Sequence, residues 1–144
     1  MDYGIIEDAF HFVSSAAYGE HSAVISRTTG ETYFASVMSN IDEMPEDVGE
    51  NDDYVDIPYK NDLGLGKPLV MEFVRLRLPE QLDRVHGIFS RRGAYGRFKD
   101  FLAEKNLLEE WYKFEDNRTR EALAEWCAQS GLEVENLPNP EQYL

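Results

Sequence analysis

Ala23-Val24-Ile25-Ser26-Arg27-Thr28-Thr29-Gly30-Glu31-Thr32-Tyr33-Phe34-Ala35-Ser36-Val37 is the stretch on which the fold turns. Two runs rich in β-branched and aromatic residues flank Thr28-Thr29-Gly30-Glu31, and that combination is a hairpin signal. Gly30 is placed to supply the positive φ that the turn requires. The hairpin puts an antiparallel sheet into a chain whose other apolar residues recur mainly at helical spacing.

Upstream, Ile5, Ile6, Ala9, Phe10, Val13, Ala16 and Ala17 recur at helical spacing with Glu7, Asp8 and His11 off the stripe, so residues 3–17 read as an amphipathic helix. Asp2 is its cap and Gly19 its end. His11 and His21 have no carboxylate at a metal-ligand spacing and read as ordinary surface or boundary histidines. Downstream, residues 39–53 collect Asp42, Glu43, Glu46, Asp47, Glu50, Asp52 and Asp53 around Pro45 and Gly49. That composition cannot bury itself and reads as a mobile acidic loop, and its spacing departs from a calcium loop. Tyr54-Val55-Asp56-Ile57-Pro58-Tyr59 alternates as a third strand that pairs with the hairpin, with Pro58 marking its end or an exposed edge.

The second half of the chain is helical. Gly64-Leu65-Gly66-Lys67 lacks the spacing of a phosphate loop and is followed by Pro68, which suits the first turn of a helix carrying Leu69, Val70, Phe73 and Val74. Pro79 restarts the chain into Leu82, Val85, Ile88 and Phe89. Phe98, Phe101 and Leu102 then share one helical face. Leu107, Leu108, Trp111 and Phe114 share another, with Trp111 the expected core residue, whose truncation to Ala costs about 3–5 kcal/mol at a buried site. Asp116 or Asn117 is read as the cap of a last helix carrying Ala122, Leu123, Trp126 and Cys127. Gly131 stops that helix, with Leu132 making the hydrophobic contact of a Schellman cap. The expectation is an α+β fold: an N-terminal helix, a small antiparallel sheet of about three strands, then a bundle of about four helices. Residues 1–132 read as a single domain and residues 133–144 as a weakly ordered tail.

Composition narrows the function classes. The 144 residues carry 28 acids against 14 bases, a net charge of −14, so nucleic acid is disfavoured as a partner. The charge is unevenly spread, with residues 1–66 at net −12, residues 67–99 at +5 and residues 100–144 at −7. No apolar run spans a membrane, and Met1-Asp2-Tyr3 lacks the basic start of a signal peptide, so a cytoplasmic protein is expected. The single cysteine, Cys127, excludes an internal disulfide and reads as a buried, inert thiol. Nothing in the sequence asks for a cofactor, and the oligomeric state is not written in it.

The candidate site is the Arg91-Arg92-Gly93-Ala94-Tyr95-Gly96-Arg97-Phe98-Lys99 elbow, the densest mixture of Arg, Gly and aromatics in the chain. Gly93 and Gly96 read together as a turn or a close backbone approach. The plainest reading of these cations is that they neutralise the protein's own acidic segments. Three functional readings compete beside it. In the first the chain is a non-enzymatic interaction or regulatory module, with Arg92, Tyr95 and Arg97 of hot-spot type meeting an unidentified protein. In the second Arg91, Arg92, Arg97 and Lys99 contact an anion, a phosphate-bearing ligand or nucleic acid. In the third the chain is an enzyme of unknown class, with His86 the one histidine placed to be tested as a general base.

Several segments carry a resemblance: Thr29-Gly30-Glu31, Asp53-Tyr54-Val55-Asp56-Ile57-Pro58, Met71-Glu72-Phe73-Val74, Arg92-Gly93-Ala94-Tyr95-Gly96-Arg97-Phe98-Lys99-Asp100, Trp111-Tyr112-Lys113-Phe114 and Arg120-Glu121-Ala122-Leu123-Ala124-Glu125-Trp126. Over roughly residues 5–132 the chain resembles the bacterial uncharacterised protein family 158. The resemblance implies an α+β fold and a bacterial cytosolic origin, and it implies no activity. Tyr112 and Cys127 stand where the family pattern leads one to expect Phe and Leu.

Overall fold

The structure, a computed structural model, describes residues 1–138. Its chain falls into two compact units, one made of Met1–Leu63 together with the chain from Arg120 onward, the other of Gly64–Thr119. The partition follows charge. Read from the sequence, the first unit carries 19 acids and 3 bases, and the second 9 acids and 11 bases.

In the first unit, helix α1 (Tyr3–Ser14) is capped by Asp2, whose Oδ1 accepts from the Gly4 amide at 2.7 Å. Ile6, Ala9, Phe10 and Val13 form its buried stripe, and the helix packs on strand β1. It stops three residues short of the expected end because Ser15 turns back on it. The Ser15 amide and Oγ both donate to the Phe12 carbonyl, at 3.3 and 2.7 Å, an alternative to the next helical bond that serine offers readily.

Strands β1 (His21–Ser26), β2 (Thr32–Ser36), β3 (Ile41–Asp42) and β4 (Tyr54–Asp56) form an antiparallel sheet in the order β3-β2-β1-β4. The hairpin register sets Val24 opposite Tyr33, and Ile25 pairs on its other side with Val55. Gly30 has φ 75°. The added strand, β3, comes from the segment read as a mobile acidic loop. That segment is tied down, with the Glu43 amide donating to the Phe34 carbonyl at 2.9 Å. At its far end the Asp53 carboxylate accepts from Ser26 Oγ and, at 3.0 and 2.6 Å, from the amide and hydroxyl of Thr28. Those bonds hold Asp53 below the usual carboxylate range, the Ser26 bond contributing most.

The second unit holds α2 (Lys67–Arg77), a 3-10 turn at Pro79–Gln81, α3 (Leu82–Ile88), α4 (Ala94–Glu104) and the first part of α5 (Leu108–Gln129), whose residues from Arg120 belong to the first unit. Pro68 sits in the first turn of α2. The core gathers Val70, Phe73, Val74, Val85, Phe98 and Leu102 with Trp111, which is 1% exposed. The Phe98 and Phe73 rings meet Trp111 edge-on at 5.2 and 5.4 Å. Its indole Nε1 is buried without a hydrogen-bond partner among the described residues.

One helix, α5, stands where two were expected. Asp116 and Asn117 lie inside it and not at a helix start. No Gly or Pro occurs between 108 and 129, and without a breaker the modest propensity cost of Asp and Asn does not interrupt a helix anchored by Trp111 and Leu123. Its end is the Schellman motif: the Leu132 amide donates to the Cys127 carbonyl at 3.1 Å and the Gly131 amide to Ala128 at 3.3 Å, with Leu132 buried. Beyond it, the segment read as the start of a weakly ordered tail runs along the N-terminus. The Tyr3 amide donates to the Glu135 carbonyl at 2.9 Å, the Glu135 amide to Met1 at 2.7 Å, and Asn136 Nδ2 to Asp2 Oδ2 at 2.6 Å. The rest of that expected tail, residues 139–144, lies outside the described residues.

Candidate functional site

The elbow is the corner between α3 and α4. A helix of seven residues ends with carbonyls that lack intrahelical partners, and the turn that follows must satisfy them. Ser90 Oγ donates to the Gly87 carbonyl at 2.6 Å. Gly93 then takes the left-handed conformation, φ 73° and ψ 20°, and starts α4 without a side-chain cap. From the first turn of α4 the Arg97 guanidinium reaches back, donating through Nη2 to the Ile88 carbonyl at 2.9 Å and through Nη1 to the Arg92 carbonyl. Arg97 is therefore the clamp of the corner, a cation at the negative end of α3. Apolar packing closes the inner side: Tyr95 stands edge-on to Phe89 at 5.1 Å, and Phe89 meets Phe98 at 5.6 Å.

The five residues singled out from sequence thus have different situations. Arg97 is turned onto backbone carbonyls. The Lys99 ammonium lies 5.6 Å from the centroid of the Tyr112 ring. Tyr95 is half-buried against Phe89. Arg91 and Arg92 are exposed, and no described carboxylate forms an ion pair with either. Elsewhere in the unit, cations do meet the protein's own acids, Arg77 with Glu110 and Arg118 with Glu72 at 2.6 Å. The role that sequence reasoning did not foresee is the clamp that Arg97 makes on the Arg92 and Ile88 carbonyls. Its signal was the position of Arg97, four residues after a glycine that begins a helix without a cap.

The histidines and the cysteine stand in different settings. His86 is exposed on α3 with no described carboxylate in contact. His11 Nε2 lies 3.7 Å from Glu7, one turn away on α1. His21 stacks on Phe12 at 4.4 Å, and its Nδ1 donates to the Phe12 carbonyl at 2.9 Å. The Cys127 thiol, 1% exposed, is pushed up to about 11 by burial and is protonated at neutral pH. Among the described residues, no three His, Cys, Asp or Glu side chains come together as a metal site, and no helix is long and apolar enough to cross a membrane.

Comparison with known families places this geometry in a context without an assigned activity. The model of the Uncharacterised protein family (UPF0158) matches residues 10–143. No curated protein and no solved structure matches the chain.

Proposed function

We propose that this chain, which belongs to the Uncharacterised protein family (UPF0158), is a non-enzymatic interaction or regulatory module of the bacterial cytoplasm that takes a protein partner at the α3–α4 corner. One observation carries the reading. In a chain with twice as many acids as bases, Arg91 and Arg92 stand exposed and free of the protein's own described carboxylates, on a turn whose backbone Arg97 fixes. Fixing the turn before binding lowers the ordering cost, and arginine and tyrosine are both among the residue types enriched at interface hot spots. The partner surface such a corner suits is acidic, with an apolar spot for the half-buried Tyr95.

The test is capture of the partner through a photo-cross-linking residue placed at Lys99, comparing wild type with Arg91→Ala/Arg92→Ala. The double variant removes no described intramolecular bond and should keep its circular dichroism while losing the cross-linked species. An undiminished cross-link with the fold intact would sink the reading. Arg97→Ala is unsuited to this comparison, because it would loosen the turn itself.

A second reading rests on the uncapped start of α4. Gly93 offers no side-chain acceptor to the first-turn amides, and two free arginines precede it, an arrangement that favours an anion such as a phosphate group. Steep weakening with salt, and competition by inorganic phosphate, would separate it from the protein-partner reading.

A further inference from the structure

A cavity of about 430 Å³ is lined wholly by residues of the first unit and is independent of the reading given to the corner. Its floor is apolar, from Val13, Ala23, Ile57 and Pro58. Tyr18 and Tyr59 contribute aromatic surface, their rings edge to face at 5.4 Å, and Tyr18 is 73% exposed. Asp56, Asp62 and His21 supply the titratable groups of the lining, which includes no Lys or Arg. Two of these groups are carboxylates. His21 uses Nδ1–H on the Phe12 carbonyl, which leaves the lone pair of the neutral ring on Nε2. Asp62 is ionisable and already accepts the Tyr59 amide at 3.0 Å through Oδ2, and Asp56 has no hydrogen bond or ion pair with a described residue. Tyr59 Oη is occupied, donating to the Ala16 carbonyl at 3.1 Å.

A recess with an apolar floor, aromatic surface and two carboxylates but no lysine or arginine in its lining is complementary to a group that carries positive charge and donors on a carbon stem. An anion would face two carboxylates, and a neutral alcohol would leave the charge complementarity unused. We infer that this cavity binds a small organic cation, an ammonium or guanidinium on an aliphatic stem, with Asp56 as the charge partner and Tyr18 and Tyr59 as the aromatic surface. Asp56 is free to pair with the incoming charge, whereas Asp62 is partly committed to the local backbone.

Amide chemical shifts of the full-length protein, titrated at constant ionic strength with n-butylammonium, n-butylguanidinium and neutral n-butanol, test this. The two cations should give saturable shifts confined to residues 18–23 and 56–62, and butanol none. Asp56→Asn should weaken cation binding by about five- to tenfold while leaving the spectrum otherwise unchanged. A parallel titration with the blocked tripeptide acetyl-Gly-Lys-Gly-amide separates the sources of the charge. Tighter binding of the free amine supports a metabolite-sized ligand, whereas tighter binding of the tripeptide overturns that and assigns the cavity to a protein side chain. Shifts that fail to saturate, that spread across residues 42–53, that butanol reproduces, or that persist undiminished in Asp56→Asn would each overturn the inference.

Discussion

Gly93→Ala and Gly96→Ala make the same chemical change three residues apart and should move stability in opposite directions. Gly93 sits at φ 73° and ψ 20°, where a Cβ crowds the following carbonyl and costs an L-residue about 1–2 kcal/mol. A Cβ built there would lie 3.4 Å from Arg97 Nη1, at the edge of ordinary contact, so the clamp stays in place and the backbone supplies most of the cost. Gly96 is inside α4, with nothing within 4 Å of the position a Cβ would take. There alanine recovers about 0.5–1 kcal/mol of helix propensity. The two variants should therefore differ by about 1.5–3 kcal/mol, more than a tenfold change in folded-to-unfolded ratio. Urea unfolding followed by tryptophan fluorescence and by circular dichroism reads this directly, as a lower midpoint for Gly93→Ala and a higher one for Gly96→Ala at unchanged slope. A neutral or stabilising Gly93→Ala would refute the left-handed corner, and a destabilising Gly96→Ala would refute the open face of α4. If that open face is where the partner approaches, Gly96→Ala should also reduce capture while the protein becomes more stable.

Two further outcomes follow from titratable groups. Cys127 should resist a thiol reagent at neutral pH in the native protein and react at once when it is unfolded. Because burial raises its folded value to about 11 from an ordinary 9.0, stability should fall with rising pH across that interval, where the unfolded thiol ionises and the folded one does not. Asp53 is shifted the other way, below its ordinary 3.8, so the stability it lends to the hairpin turn is present above that value and is lost as pH falls through its folded one. Asp53→Asn should abolish that acid-side loss and lower protection of the Thr28 amide against hydrogen exchange at neutral pH.

Elements whose cause is local were legible in the sequence. The α1 stripe with its Asp2 cap, the hairpin around Gly30, the first half of the strand read at residues 54–59 and the Gly131–Leu132 stop each depend on a handful of neighbouring residues, and each stands in the structure. What the sequence hid depends on partners distant in the chain. The pairing of β3 needs Phe34 to accept from Glu43, and nothing in an acid-rich segment announces a strand. Asp116 and Asn117 have the right chemistry for a cap and the wrong context for one, since no residue before them ends the preceding turns. Charge along the chain revealed a basic middle third but not that the chain returns to the acidic unit at Arg120. At the corner, Gly93 and Gly96 look alike in sequence and differ by a left-handed φ. Arg97 looks as available as Arg91, yet it is held by two backbone carbonyls.

The first unit is also discontinuous in time. A ribosome delivers the whole hairpin and α1 before it reaches Leu123, Cys127 and Leu132, buried residues that the same unit incorporates from the far end of the chain. At about 5–20 residues per second, the interval between residues 63 and 132 lasts roughly 3–14 s. The second unit is contiguous and has its full set of core side chains once Thr119 has emerged. Vectorial synthesis therefore completes the helical unit first and leaves α1 and the hairpin waiting for the last buried residues of their own unit. That makes the pace of translation through residues 64–119, and the chaperones present meanwhile, determinants of how much of the protein matures.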